Sequence, residues 1–337
     1  MKKPKLLYLS CHSIAEFDEV KLLQEIGFDV FSHGAYTDPG NPGDKKRPGL
    51  PGEADQELID LALKNPKEKM SKDFISRFDI IYSHWMPSWI AQNWENMLGK
   101  IVILRTNGQS TQENEEWMAP YREAGLHIVR YAPIEQTIPG YCGHDAIIRF
   151  YKDPDEFSNW NGKKKRVITV VQNMKRRAAF CNYDIFNAAT LGFDRKLYGP
   201  DNELSGKLWG GCLEYSKLKQ AYRDNRVYFY TGTKPACYTL NFIEAWMTGI
   251  PIVAIGGETG NPGFLPNQYT YEIPFIMKHG VEGFVSDDIG ELHNYVETLL
   301  NDPKLAKKIG AAGRKKAIEL FGKETIKKQW IEFFKNL

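Results

Sequence analysis

The segment from Arg226 to Gly257 leaves few folds open. Arg226-Val-Tyr-Phe-Tyr230 is β-branched and aromatic, the composition of a strand. A polar loop from Thr231 to Tyr238 follows. Thr239 stands where its hydroxyl can cap a helix by accepting a hydrogen bond from an early backbone N–H. Leu240, Ile243 and Met247 fall at helical spacing and make a buried stripe. Gly249 is placed to end that helix, with Pro251 just beyond. Ile252-Val-Ala-Ile255 is a short apolar run closed by Gly256 and Gly257, as expected of a parallel strand covered on both faces. One polar residue in the helix bears on chemistry, Glu244. A helix start attracts phosphate, and a carboxylate one turn further in can accept hydrogen bonds from ribose hydroxyls. The stretch is a nucleotide site in outline.

The same alternation runs through the chain. Lys5 to Ser10 reads as a strand. Phe17, Val20, Leu23 and Ile26 read as a helix ended by Gly27, and Phe28 to Ser32 as the next strand. This βαβ opening implies a parallel sheet with right-handed crossovers. Strands are expected at 78–83, 100–105, 127–131 and 146–150, with helices starting at Glu57 and around Trp117 and Tyr121. The first βα turn, Ser10 to Ser13, lacks G-x-G-x-x-G, so the dinucleotide fingerprint is absent there. Residues 36–54 hold four Pro-Gly pairs around Lys45-Lys-Arg47. That composition fits a solvated loop, or a lid, and no packed element. After a polar stretch at 152–165 the pattern restarts with Arg166 to Val171. At 337 residues, two domains are expected. The first spans 1–155 and the second 163–320. A tail of 321–337 carries Ile326, Trp330, Phe333 and Phe334.

Composition narrows the partners. A net charge of +2 makes no strong field for nucleic acid or membrane. No apolar run approaches the ~18–20 residues that span a bilayer, and Leu6 to Leu9 is too short for a signal-peptide core. The five cysteines form no C-x-x-C pair, so neither zinc nor a disulfide framework is expected. Reduced thiols in a cytoplasmic protein are the simpler reading.

The C-terminal half resembles the retaining GT-B glycosyltransferases, of the family-4-like group. The resemblance lies in Asn241-Phe-Ile-Glu-Ala-Trp-Met-Thr-Gly-Ile-Pro-Ile-Val-Ala254, then Gly256-Gly257, Val281-Glu-Gly-Phe-Val285, and the run from Asp288 to Lys316. Order and spacing match over residues 213–322. The resemblance implies an α/β chain of two Rossmann-like domains facing across a cleft. The nucleotide sugar, of UDP or GDP type, would lie on the second domain and the acceptor on the first, with the final helix crossing back. It implies no metal and no further cofactor. The family's motif has two glutamates separated by seven residues. Glu244 matches the second, which usually holds the ribose, whereas Ala236 stands in place of the first. That departure leaves an altered donor sugar, a substitute acid such as Glu258, or weakened activity.

Site residues follow from these positions. Lys175, Arg176 and Arg177, with Asn173, lie in the loop after the first strand of the second half. There cations can stabilise the diphosphate leaving group, with Arg176 foremost. A charge run is more often a solvated face, but a strand's carboxyl end is where α/β sheets bind ligands. Lys234 and Thr233 lie in the corresponding loop after Tyr230. The backbone N–H groups of Tyr238, Thr239 and Leu240 are placed to meet phosphates. Gly256 and Gly257 allow close approach to the sugar, or form an ordinary turn. On the acceptor side His84, His12, Ser13, Asn107 and Gly108 stand at strand ends, with His84 also a catalytic candidate. A lone histidine is more often structural. Two other functions stay open. One is a nucleotide-sugar or glycan-binding protein of this fold that transfers weakly. The other is transfer to modified nucleic-acid bases, for which Lys45 to Arg47 and Lys163 to Arg166 could meet phosphates.

Overall fold

A computed structural model divides the chain into two compact units. Unit 1 is Met1–Ile148 with Lys327–Leu337, and unit 2 is Arg149–Ile326. The structure describes residues 3–10, 12–34, 36–37, 55–265 and 267–337, without the side chains of Ser13 and Ile14. The Pro-Gly segment therefore lies, beyond Thr37, outside the described residues.

Unit 1 runs β1 (Lys5–Ser10), α1 (Ser13–Glu25), β2 (Asp29–His33), α2 (Gln56–Leu63), α3 (Lys72–Ser76), β3 (Ile80–His84), α4 (Pro87–Met97), β4 (Ile101–Arg105), α5 (Gln112–Glu123), β5 (His127–Arg130) and β6 (Ala146–Ile147). Its strands form one parallel sheet in the order β2-β1-β3-β4-β5-β6. Alternate residues Leu7, Leu9, Ile81, Val102, Leu104 and Ile128 line one core face with Phe74, Phe78, Ile90 and Met118. This is the two-residue period of a pleated strand. α4 is not among the helices read from sequence. Pro87 starts it, and Trp89, Ile90, Asn93 and Met97 form its buried face. The expected strand at 146–150 is only two residues long here. The last residues of unit 1 bring Trp330 to 5.8 Å from Tyr82, and Phe334 to 4.5 Å from Phe28.

Unit 2 runs β7 (Lys164–Val170), α6 (Ala178–Cys181), α7 (Tyr183–Ala189), β8 (Arg195–Tyr198), α8 (Tyr215–Asp224), β9 (Asn225–Tyr230), α9 (Leu240–Thr248), β10 (Ile252–Ile255), α10 (Gly257–Gly260), α11 (Ile273–Ile276), β11 (Phe284–Ser286), α12 (Ile289–Asn301), α13 (Pro303–Phe321) and the start of α14 (Lys323–Lys335). The sheet is again parallel, in the order β11-β10-β9-β7-β8. Every residue of β10 is fully buried, and so is Val227 to Phe229 of β9, as parallel strands under helices require. Residues Phe242 to Thr248 of α9 are all buried, so this helix is central, packed on both sheet and helix. Gly249 ends it with a left-handed φ of 91°. A methyl group at Gly310 of α13 would collide with the Gly249 carbonyl, so the two helices meet at backbone distance. The polar stretch that opens at Lys152 belongs to unit 2, and arginines of that unit hold its carbonyls. Arg223 donates to Ser158 and Glu156 at 2.9 and 3.2 Å, and Arg314 to Pro154 at 2.8 Å.

Candidate functional site

In unit 2 the chain leaves β7 for β8 on one side, then crosses to β9 on the other. The carboxyl ends of β7 and β9 therefore flank a topological switch point, where open α/β sheets bind ligands. The loops there, residues 171–177 and 231–239, are tied together. Asn182 Nδ2 donates to the Thr231 carbonyl at 2.8 Å, and Lys234 N–H to the Phe180 carbonyl at 2.8 Å. Asn241 Nδ2 donates to the Val170 carbonyl, which pins the start of α9 to the end of β7. Asn173 takes a left-handed φ of 50°, and its carbonyl accepts from the Arg177 N–H at 3.1 Å. Its buried side-chain oxygen has no hydrogen-bond partner.

Four cations stand on these loops, and among the described residues none is paired with a carboxylate. Arg176 is exposed and, among the described residues, has no ion pair or hydrogen bond. Lys175 reaches the Leu204 carbonyl at 3.1 Å and the Tyr183 ring at 5.9 Å. Arg177 reaches the Gln172 carbonyl at 3.5 Å. Lys234 is half-buried, and burial pushes its pKa below the usual lysine value. Elsewhere in unit 2, Arg149, Lys163, Arg166 and Lys219 all have acidic partners. Unpaired cations gathered at a helix start make an anion site.

The start of α9 departs from the expected cap. The Thr239 hydroxyl accepts from no helix N–H. It donates to Asn241 Oδ1 and lies within hydrogen-bond distance, 3.2 Å, of the Tyr230 hydroxyl. The N–H groups of Leu240 and Asn241, at the first helical positions, have no acceptor within the helix. They remain able to meet a phosphate. Tyr238 can contribute only its backbone, because its ring is 1% exposed and packs 5.0 Å from Phe321. Thr233 and Gly257 lie on the same carboxyl-end rim. At Gly256 the space for a side chain is filled by Asp287, whose carboxylate accepts from the Glu258 and Thr259 N–H groups at 3.2 and 2.8 Å. Glycine there makes room for this carboxylate, which already occupies the start of α10.

Glu244 is placed differently from the ribose ligand of the sequence reading. Its side chain is 5% exposed and pairs with Lys152 Nζ at 2.7 Å, itself 1% exposed. Tyr222 OH donates to it at 3.3 Å. Lys152 N–H in turn donates to the Phe321 carbonyl at 3.0 Å. Glu244 thus joins α9 to α8 and to the segment entering unit 2.

On unit 1, His84 is buried as well. It is 1% exposed at the end of β3, with Nδ1 3.1 Å from both Glu19 Oε2 and the Tyr8 hydroxyl. Arg105 and Tyr82 complete this buried group, each 3.2 Å from the same carboxylate. Burial raises the pKa of Glu19, but the contacts with His84 and Arg105 outweigh it and hold the carboxyl low. His12 caps α1 by accepting from the Ala15 N–H at 3.3 Å, and its ring lies 6.3 Å from that of His84. Asn107 closes a local turn, accepting from the Gln109 N–H at 3.1 Å, and Gly108 supplies a φ of 74° beside it. The side chain of Ser13 lies outside the described residues.

Among the residues of these sites with no role in the sequence reading are Lys152, Asn241 and Asp287. Asn241, a lone amide at the start of an apolar helix, carried a readable signal. The other two act through distant partners.

No family model matches the chain, and no curated protein matches it. Solved structures do. A sucrose-phosphate synthase from Thermosynechococcus elongatus superposes with a TM-score of 0.69 at 15% identity, covering 99% of each chain. Anabaena HepE, solved with UDP and glucose, superposes with a TM-score of 0.65 at 13% identity, covering 99% of this chain and 100% of that one. A glycosyltransferase from Rickettsia africae gives 0.67 at 12% identity, over 100% and 99%. The chain has the GT-B fold. Identities of this size speak for the fold alone. Among the described residues this GT-B chain has no helix long and apolar enough to cross a membrane, and no cluster of three metal-ligating side chains.

Proposed function

We propose that this GT-B chain is a glycosyltransferase whose nucleoside-diphosphate sugar binds at the β7/β9 switch point of unit 2. The observation that carries this reading is the set of cations there, Lys175, Arg176, Arg177 and Lys234, none of them paired with an acid among the described residues. Breaking the bond from sugar to diphosphate leaves negative charge on the phosphate oxygens. Cationic side chains already in place stabilise that charge without rearranging. The N–H groups opening α9 add partial positive charge at the same point. UDP is our first choice of nucleotide, because HepE, of the same fold, was solved with UDP and with UDP-glucose. Retention of configuration is our reading from the resemblance in the C-terminal half, with the leaving phosphate acting as base in a front-face attack. Among the described residues, Cys142, Cys181, Cys212 and Cys237 form no disulfide, which suits our reading of a reducing, cytoplasmic setting.

Calorimetric titration with UDP, GDP, ADP and NAD tests the site. Binding of one nucleoside diphosphate, weakened by Arg176→Ala, is the expected outcome. Binding of NAD alone would overturn the reading. Ala236 supports a second reading, a nucleotide-sugar binder with weak transfer. Release of UDP from UDP-glucose, with and without added glycoside acceptors, separates the two.

A further inference from the structure

The solvent face of α13 in unit 2 is built from lysine. Lys304, Lys307, Lys308 and Lys315 are all exposed, with exposed Ala311 between them. At about 100° per residue these five positions fall within an arc of roughly 100°. Ala306, Ile309, Gly310, Gly313, Ala317 and Phe321 form the buried side opposite.

Local electrostatics favours the reverse choice. A helix start favours acids, through the partial positive charge of its unpaired N–H groups. The first turn of α13 holds no acid, and it does hold Lys304. Lys304 lies three residues before Lys307 and four before Lys308, so the three ammonium groups are neighbours on the helix surface and repel one another. No acid stands three or four residues from any of them. Glu319, four residues beyond Lys315, is held by Lys316 at 2.7 Å. Among the described residues none of the four lysines has an ion pair. Lysines elsewhere in the unit do find acids: Lys163 and Lys164 reach Asp224 at 3.1 and 3.5 Å, and Lys219 reaches Glu156 at 3.0 Å. The whole chain has a net charge of +2, so this one face gathers more positive charge than the molecule carries overall. A sequence that goes against local preference at several positions at once is expected to do so for function.

The chemistry of the face points to its partner. Asp302 already accepts from the Lys304 and Leu305 N–H groups, at 2.9 Å each, so the helix start offers no backbone cradle for a single phosphate. Arg314 is turned inward and donates to the Pro154 carbonyl at 2.8 Å. What remains outside is a row of flexible ammonium groups about 16 Å long, with a methyl group in its middle. The row has no ring to stack on a base, and no guanidinium or amide to read a base edge. A lysine is a point charge that needs no fixed geometry. Smeared negative charge, as on an anionic bilayer, is what such a row attracts.

We propose that α13 docks unit 2 on the surface of an anionic lipid bilayer through Lys304, Lys307, Lys308 and Lys315. Docking of this kind does not depend on what the β7/β9 loops bind.

Co-sedimentation of the full chain with large vesicles tests it. Vesicles of phosphatidylcholine alone are compared with vesicles holding about a third phosphatidylserine. Each lysine near such a surface gains roughly fivefold in partition. Wild-type partition onto the anionic vesicles should therefore exceed that onto neutral ones by about a hundredfold or more, and should collapse in about 0.5 M salt. Lys304→Gln/Lys308→Gln/Lys315→Gln should remove most of the difference. Lys64→Gln/Lys69→Gln/Lys72→Gln, which takes the same charge from exposed positions of unit 1, should bind as the wild type does. Tm should not fall in the α13 variant, because lysine repulsion is relieved, and its UDP affinity should match the wild type. Equal sedimentation with the two vesicle types, equal loss in the two triple variants, or retention of a short DNA duplex by these lysines without vesicle binding would each overturn the surface. Vesicle binding through these lysines in a chain that binds no UDP would sustain the surface and count against the nucleotide reading.

Discussion

The Lys152–Glu244 pair separates two views of α9. At 2.7 Å two unit charges attract by ~6 kcal/mol at an effective dielectric of ~20. Both side chains are at least 95% buried, and desolvation of each ion costs several kcal/mol. The pair as a whole is therefore close to neutral for stability, whereas breaking it is not. Removing one partner leaves the other charged, buried and uncompensated, at a cost of ~3–5 kcal/mol. For a unit of this size each kcal/mol lowers Tm by roughly 2–4 °C. Glu244→Gln and Lys152→Met should each lower the unit 2 transition by about 10 °C in differential calorimetry. The double variant should recover much of that loss, because it leaves no unpaired charge. UDP affinity in the folded variants should fall far less than in Arg176→Ala. An unchanged transition in Glu244→Ala, together with abolished UDP binding, would refute this and restore the ribose role that the sequence suggests.

Other outcomes follow from single contacts. Arg176→Ala and Lys234→Ala should each weaken UDP binding by roughly tenfold, the scale of one hydrogen bond to a charged group, and added salt should shrink the difference; titration calorimetry at two ionic strengths checks both. In unit 1, burial works to raise the pKa of Glu115, but hydrogen bonds from Arg130 at 2.6 and 2.7 Å hold it below the usual 4.5. A carboxyl lowered in the folded state contributes stability above its unfolded value, and that contribution is lost as pH falls through the lowered one. Glu115→Gln should therefore be less stable at neutral pH and show a flatter loss below pH 4.5, measured by urea unfolding against pH. Gly256→Ala should displace Asp287 from the start of α10 and cost ~1–2 kcal/mol, read as a lower Tm.

Much of the architecture was readable from one-dimensional pattern. β10 and α9 follow from Ile252 to Ile255 and from the stripe Leu240, Ile243, Met247. Burial on a sheet or helix face imposes those periods directly. α4 was less visible because Asn93 stands in its buried face, where it holds the Met70 N–H and the Lys67 and Trp89 carbonyls. An amide that is buried by hydrogen bonding reads as polar in sequence. The basic loop at 175–177 was legible because loop position after a strand can be read without knowing any contact. The environments of Glu244 and His84 were not. Lys152 lies 92 positions before Glu244, and Glu19 lies 65 before His84. Only the folded chain brings a partner of that separation within reach, so a buried ion pair and a ligand-binding acid look alike in sequence.

That distinction bears on Ala236, which stands where the resembling family has its first glutamate. In unit 2 Ala236 is 5% exposed, followed by Cys237 at 0% and Tyr238 at 1%. The Cys237 carbonyl is occupied by the Glu272 N–H at 3.0 Å. A glutamate at 236 would start from a buried position, where an ionised carboxylate is costly unless it is paired. Lys234, two residues back, is the cation in the same loop without an acidic partner. If the side chain of a glutamate can reach it, the pair would raise the pKa of Lys234 while reducing the positive charge left for a diphosphate. Either way, restoring the glutamate works against the site as this chain builds it. Ala236→Glu should lower Tm and weaken UDP binding, measured by calorimetry, and should not increase release of UDP from UDP-glucose. Faster release with an unchanged Tm would show instead that residue 236 opens onto the transferred sugar, and that the alanine is a loss of function in an otherwise complete site.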